Sequence, residues 1–344
     1  MQPTLSLLKK ILLIRFSSIG DIVLTTPVVR AIKTQLNCEL HVLSKKQFVS
    51  IYADNPFVDQ THILSESLSK VVLKLKSENF DHIVDLQKNV RSKKLCNILK
   101  IRHTSFPKVN AKKWLLVNFK IDRLPDIHIV DRYFESVKTL NVFNDGKGLD
   151  YFIPANDEIK VSAIDPVLDS GYIGFVIGAR HNTKIFPLEK VISLIEKLHL
   201  PVVLLGGPED AEKGNEITRQ IQSKKVINAC GRFNLNQSAS IVIQASVIIT
   251  NDTGLMHIAA AFKKPIISIW GNTVPRFGMF PYLPDNNDRS FLAEVKGLKC
   301  RPCSKLGFKQ CPKKHFKCML DQDENQIAEM AINYDNTMTP TSRV

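Results

Sequence analysis

Asp21 is the first carboxylate in the chain, and none follows it before Glu39. It lies in the stretch ILLIRFSSIGDIVLTTPVVRAIK, residues 11–33, between an apolar run and a helical pattern. A small polar bend, Ser17-Ser18-Ile19-Gly20, precedes it. A carboxylate at such a turn can cap the helix that follows. It can also take a proton from an attacking hydroxyl. In open α/β sheets, ligands bind beyond the carboxyl ends of the strands, so this lip is a place where chemistry happens.

Three further strand-to-helix junctions carry ligand-binding residue types. GARHNTKIFP, residues 178–187, presents Arg180, Thr183 and Lys184 ahead of a helix, a set suited to phosphate. LLGGPED, residues 204–210, pairs two glycines that admit a close ligand with Glu209, which can receive ribose hydroxyls. A tight turn with a solvated carboxylate explains the same residues. TNDTGLMHIAAAF, residues 250–262, puts Asp252 at an N-cap position, with Thr253 and Gly254 opening a helix whose amides face a diphosphate. His257 falls one turn into that helix, where packing and ligand contact are both open readings. Neither a G-x-G-x-x-G fingerprint nor a G-x-x-x-x-G-K-[ST] loop occurs, which disfavours a dinucleotide-dependent dehydrogenase.

These junctions need parallel α/β scaffolding, and the pattern supplies it. KILLIRF, ELHVLS, THILS and FDHIVDLQ read as strands in the first half, with helices expected over IVLTTPVVRAIKTQL and HIVDRYFESVKTLNV. In the second half, YIGFVIGA, PVVLLGG, KVINAC, ASVIITND and KPIISIWG alternate with the helical LEKVISLIEKL, AEKGNEITRQIQ and TGLMHIAAAF. A late helix, ENQIAEMAINY, ends the pattern. The 344 residues divide into a domain over 1–155, a second over 156–333 and a disordered tail over 334–344. The fold expected is α/β, with two Rossmann-like doubly wound domains facing each other across a cleft.

The net charge of +14 is uneven: residues 1–150 hold 24 Lys and Arg against 14 Asp and Glu. Between Leu86 and Ile121 there is no acid, but Lys88, Arg91, Lys93, Lys94, Lys100, Arg102, Lys108, Lys112, Lys113 and Lys120 all occur. Such a run is either a solvated helix face or a surface for nucleic acid, membrane or a phosphorylated substrate. Only Phe106, Trp114 and Phe119 are interleaved as stacking platforms, which argues against nucleic acid. No apolar run approaches the ~20 residues of a membrane span. The N-terminal MQPTLSLLKKILLIRF is broken by Lys9, Lys10 and Arg15 and does not read as a secretory signal, so a cytoplasmic location is expected.

Of seven cysteines, four crowd into CRPCSKLGFKQCPKKHFKC: Cys300, Cys303, Cys311 and Cys318, with His315 among them. The spacing is compatible with structural zinc. Its second pair is not standard, so reduced thiols or an oxidised loop is the favoured reading.

Taken in order, the motifs resemble glycosyltransferase family 9, the ADP-heptose:lipopolysaccharide heptosyltransferases. RFSSIGDIVLTTPVVRAIK resembles the family's first strand, turn and helix, with Gly20-Asp21. DHIVDLQKNVRS resembles its D-L-x-x-x-x-R-S segment, at Asp85, Leu86, Arg91 and Ser92. HIVDRY resembles the segment carrying an acceptor-side arginine, here Arg132. TKIFP resembles its Lys-x-aromatic-Pro motif, GGPED its small-residue turn before Glu, and NDTGLMHIAAAF its D-[TS]-G-x-x-H-x-A-A-A motif.

The resemblance implies a GT-B fold and inverting, metal-independent transfer of a heptose from ADP-heptose to a lipopolysaccharide core acceptor. No cofactor is expected. It makes Asp21 the base. It gives the nucleotide-sugar Arg180, Thr183, Lys184, Glu209, Asp252, Thr253, Gly254 and His257. The acceptor, an anionic lipid-linked saccharide, would meet Ser18, Arg91, Lys93 and Arg132, with peripheral contact at the inner face of the inner membrane. Ala179 and Arg180 depart from the hydroxyl residues of some relatives, and a different nucleotide-sugar or acceptor within the same family is the alternative.

Overall fold

The computed structural model describes residues 8–64 and 67–337 of the chain. It divides into two compact units, the first formed by residues 1–108 and 127–152, the second by residues 109–126 and 153–344. The break near residue 155 expected from composition lies at Phe152–Ile153. The segment 109–126 belongs with the second unit instead of the first.

The first unit is built on five parallel strands, β1 (Lys10–Ile14), β2 (Glu39–Lys45), β3 (Gln60–Leu64), β4 (His82–Asp85) and β5 (His103–Ser105), in the order β3-β2-β1-β4-β5. Every pairing is parallel. Helices at Thr26–Leu36, Leu68–Ser77 and Val90–Leu99 return the chain between strands. Leu12, Ile14, Leu43, Ile83, Leu75 and Leu95 share one core under the helices.

The second unit carries six parallel strands, β6 (Ile173–Val176), β7 (Val202–Leu205), β8 (Val226–Asn228), β9 (Val247–Asn251), β10 (Ile266–Trp270) and β11 (Ser290–Glu294), ordered β11-β10-β9-β6-β7-β8. All five pairings are parallel. Read from β8, this is the doubly wound order 3-2-1-4-5-6. In each sheet the strand order reverses beside the first strand: between β1 and β4, and between β6 and β9. Those two switch points are where such sheets hold ligands.

Two sequence expectations change in detail. The single helix expected over residues 22–36 is two, Ile19–Val23 and Thr26–Leu36. The Thr25 and Thr26 hydroxyls donate to the carbonyls of Ile22 and Val23, and Pro27 cannot supply an amide, so a new helix starts there. The helix expected over residues 128–142 is regular only at Ile129–Phe134. Ser136 then caps the Tyr133 carbonyl and Asn141 turns the chain left-handed. Residues 334–337 of the expected tail continue the helix Glu324–Thr337, and the rest of that tail, 338–344, lies outside the described residues.

Candidate active site

Asp21 sits in the first turn of the helix that follows β1, and both its oxygens are held. Arg15 Nη2 pairs with Oδ1 at 2.6 Å. The Ser18 backbone amide donates to Oδ2 at 3.1 Å, and the Ser18 hydroxyl at 2.8 Å. Ser18, expected to meet the acceptor, thus orients the carboxylate. The Asp21 side chain keeps 26% of its surface exposed, whereas Arg15 keeps 8%.

Arg15 is fixed in turn. Its Nη1 donates to the Leu86 carbonyl at 2.5 Å and to the Tyr133 hydroxyl at 3.1 Å, and its Nε to the Ser17 carbonyl at 3.0 Å. The guanidinium lies over the Tyr133 ring, which stands edge-on to Phe106 at 4.8 Å. Burial pushes the Tyr133 hydroxyl up to about 12, so it stays neutral at physiological pH. Sequence reading singled out Arg132 in this helix. Its neighbour Tyr133 bonds Arg15, and Arg132 is itself buried.

The D-L-x-x-x-x-R-S segment forms the loop after β4. Buried Asp85 accepts the amides of Gln87 and Lys88 and the Ser92 hydroxyl, at 2.7–3.0 Å. This turn starts the helix Val90–Leu99 and sets Arg91 on its first turn, with Lys93 exposed beyond it. Lys108, also exposed, has its ammonium pulled below the usual lysine value, by desolvation first and then by the Arg15 charge, with Asp85 and Asp21 opposing. The cationic stretch divides between the units: Lys88 through Lys108 belong to the first, Lys112, Lys113 and Lys120 to the second.

In the second unit, Lys184 and Asp252 meet at the β6/β9 switch point, Nζ to Oδ2 2.5 Å. The Thr273 hydroxyl also donates to Asp252 Oδ2, at 3.0 Å. Asp252 is therefore not the N-cap that its sequence position suggested. Thr253 occupies that position on the helix Gly254–Ala261, and no side chain caps the helix, so its first amides face outward from the strand end. Asn251, buried, fixes the geometry behind them. Its Nδ2 donates to the carbonyls of Val176 and Gly178, and its Oδ1 accepts the Phe186 amide.

Glu209 is exposed at the tip after β7, beside the buried Asp210, which accepts the Gly207 amide at 2.9 Å. Gly178 and Gly206 are required there. A Cβ on Gly178 would meet Asp210 Oδ2 at 1.9 Å, and one on Gly206 would meet it at 2.7 Å. Arg180 is exposed on the β6 loop, and His257 is buried within its helix. Thr183, expected to touch phosphate, is buried. Its hydroxyl takes the Phe308 amide at 2.8 Å, which makes it a strut behind the loop.

That strut belongs to the cysteine-bearing loop, a part of the site the sequence did not reveal. Arg301, between Cys300 and Cys303, donates to the carbonyls of Trp270, Gly271, Thr273 and Val295 and to Glu294. Two of those carbonyls flank the turn from which Thr273 reaches Asp252. The four cysteines are free thiols, Cys300 Sγ lying 3.7 Å from His315 Nε2. Burial pushes Cys318 up to about 12 and raises Cys303 as well. The four thiols do not converge closely enough to form a ready metal cage among the described residues.

Two doubly wound parallel sheets, each with charged groups at its switch point, define a GT-B type glycosyltransferase fold. A family model for glycosyltransferase family 9 (heptosyltransferase) matches residues 68–310, and the chain belongs to that family. It is 26% identical over 332 residues to lipooligosaccharide heptosyltransferase 2 of Haemophilus influenzae, covering 86% of this chain and 92% of the relative. The fold is similar to a family 9 glycosyltransferase from Veillonella parvula, with a TM-score of 0.75 at 21% identity over 95% of this chain and 97% of the other. It is also similar to the E. coli ADP-heptose lps heptosyltransferase II, with a TM-score of 0.70 at 19% identity over 95% and 98%. The protein is a glycosyltransferase of the heptosyltransferase type.

Proposed function

We propose that this enzyme transfers a heptose from ADP-heptose to the core saccharide of a lipopolysaccharide acceptor, with inversion and without a metal ion. The observation that carries this is the pair of charged constellations at the two switch points: Asp21 held by Arg15 and Ser18, and Lys184 held by Asp252. Asp21 takes the proton from the acceptor hydroxyl as that oxygen attacks the anomeric carbon. The bond to the diphosphate breaks on the opposite face, and the sugar centre passes through oxocarbenium character. Lys184 and the amides opening the helix at Gly254 stabilise the negative charge that grows on the departing ADP. Glu209 receives hydroxyls of the nucleoside, and Arg91, Lys93 and Arg132 serve the acceptor side.

Matched relatives named as heptosyltransferases of lipooligosaccharide and lipopolysaccharide support the substrate pair. The excess of positive charge in the first 150 residues suits an anionic saccharide carried on lipid at the inner face of the inner membrane. No helix among the described residues is long and apolar enough to cross a membrane. The test is a donor screen with ADP-, UDP- and GDP-sugars against a heptose-deficient lipopolysaccharide core. Transfer from ADP-heptose giving an inverted anomeric linkage, insensitive to chelator, is expected. Preference for a UDP- or GDP-sugar would overturn the donor assignment.

A further inference from the structure

At the end of the first sheet away from Asp21, two buried histidines of adjacent strands face each other nitrogen to nitrogen. His41 of β2 and His62 of β3 are 0% and 1% exposed, and His41 Nδ1 lies 2.9 Å from His62 Nε2. Glu78, which follows the helix Leu68–Ser77, faces both: Oε2 is 3.9 Å from His41 Nδ1 and Oε1 is 3.9 Å from His62 Nε2. This is the one triad of His, Cys, Asp or Glu among the described residues whose ligand atoms all lie within 4.8 Å of one another. We infer that His41, His62 and Glu78 form a binding site for a divalent transition-metal ion such as Zn²⁺, clipping β2, β3 and the end of the following helix together.

The donor chemistry fits. His41 Nε2 lies 2.7 Å from Glu39 Oε1. A carboxylate only accepts, so that nitrogen carries the proton and Nδ1 presents its lone pair. A carboxylate behind a ligating imidazole is the usual orienting partner of a metal-bound histidine. Without metal, His62 Nε2–H donates to His41 Nδ1. On binding, that proton moves to His62 Nδ1, which has no hydrogen-bond partner, so the change of tautomer breaks no other bond and releases no proton.

The geometry asks both rings to turn from their mutual hydrogen bond toward a shared ion and Glu78 to follow. With metal–nitrogen bonds of about 2.0–2.1 Å, nitrogens 2.9 Å apart subtend roughly 90° at the ion, close to the angle of an octahedral or tetragonal site. At that angle Glu78 Oε1 must close on His62 Nε2 by about 1 Å from 3.9 Å, and this side chain is 18% exposed and able to pivot. Lys10 is the competing cation, its ammonium 2.7 Å from Glu78 Oε2 and 3.3 Å from Glu39 Oε1. Two carboxylates face one ammonium here, leaving negative charge for an ion that binds Glu78 through Oε1.

The experiment titrates Zn²⁺ into chelator-stripped full-length protein by calorimetry. The background is Cys300→Ser, Cys303→Ser, Cys311→Ser and Cys318→Ser, so that thiols contribute nothing. One equivalent is expected to bind and to raise Tm. Glu78→Gln should weaken Kd at least tenfold, and His62→Gln should abolish saturable binding. Should His62→Gln fail to fold, the partly exposed Glu78→Gln decides the question. Stoichiometric binding that survives both changes, or none in the parent, would overturn the site. Neither result bears on the glycosyl-transfer reading.

Discussion

Lys184 and Asp252 are bonded to each other at 2.5 Å, one after β6 and the other after β9, across the reversal of strand order. The helix after β9 takes its N-cap from Thr253, which leaves Asp252 to Lys184 and the Thr273 hydroxyl. Side-chain exposures of 16% and 15% leave the pair reachable but poorly screened, where charge is worth most. A diphosphate arriving at this point exchanges one anionic partner of the lysine for another.

Lys184→Ala should therefore weaken ADP by roughly 10–100-fold, the worth of a charge-assisted hydrogen bond of about 1.5–3 kcal/mol. Turnover should fall as well, because the leaving diphosphate gains charge in the transition state. Calorimetry with ADP and initial rates measure the two effects. Unchanged values of both would reduce Lys184 to a structural partner of Asp252.

Asp21→Asn should lower kcat by ~10²–10⁴-fold, the usual cost of losing a general base. The amide still accepts from Ser18 and keeps nearly the same shape, so the fold should hold. ADP affinity should stay within about twofold, since the nucleotide residues belong to the other unit. Near wild-type turnover would remove Asp21 from the chemistry.

Nine of the eleven strands and the residues at their tips were legible because each depends on local pattern, whereas the short β5, the half-buried β11 and the strand order that sets the switch points were not. Buried parallel strands read as apolar runs such as VVLLGG, and the turns after them carry glycine, lysine or a carboxylate. What stayed hidden was set by distant contacts. Asp252 looked like a cap because the sequence does not show Thr273 or Lys184 reaching it. Thr183 looked like a phosphate ligand because Phe308, its real partner, lies 125 residues on. Arg301 drew no notice inside a cysteine cluster, although its role is fixed by five hydrogen bonds, four of them to carbonyls. His41, His62 and Glu78 lie on three different elements, so no spacing announces them.

Arg301→Met should unhook the cysteine loop from the end of β10. The guanidinium is 6% exposed, and its loss takes the Arg301 bond from the carbonyls of Gly271 and Thr273, whereas that of Trp270 keeps Gln322, costing about 2–4 kcal/mol. Thermal unfolding should show a lower Tm, and donor KM should rise as Thr273 loses its hold on Asp252, while acceptor KM changes little. An equal rise in both KM values would point to general loosening instead.

Acid should destabilise the first unit through His82, buried on β4 and bonded to Thr104 at 3.0 Å. Burial, then Arg102, holds this imidazole down to about 4, below its ordinary value of 6.5. Between those values the unfolded chain binds the proton and the folded chain does not. Stability is therefore intact above pH 6.5 and falls as the pH drops toward 4, by roughly 3 kcal/mol. Denaturant unfolding at pH 7 and pH 4.5 should show a smaller difference for His82→Gln, which keeps a donor for Thr104. An identical pH profile in the variant would rule His82 out as the source.

The last expectation concerns the divided basic stretch. Arg91, Lys93 and Lys94 lie on the helix after β4, in the unit that carries Asp21, whereas Lys112, Lys113 and Lys120 belong to the other unit. If the first group receives the anionic acceptor, neutralising Arg91, Lys93 and Lys94 together should raise acceptor KM several-fold and leave ADP affinity unchanged. Binding to anionic vesicles should fall by up to about 1 kcal/mol per removed charge. Neutralising Lys112 and Lys113 instead should weaken vesicle binding without moving acceptor KM, since those residues flank exposed Trp114 and belong to the unit that does not carry Asp21. Both triple and double variants should bind oligonucleotides as weakly as the parent at physiological salt. Sub-micromolar oligonucleotide affinity in the parent, with log K falling by roughly 0.7–0.9 per phosphate contacted as log salt rises, would instead make this stretch a nucleic-acid surface.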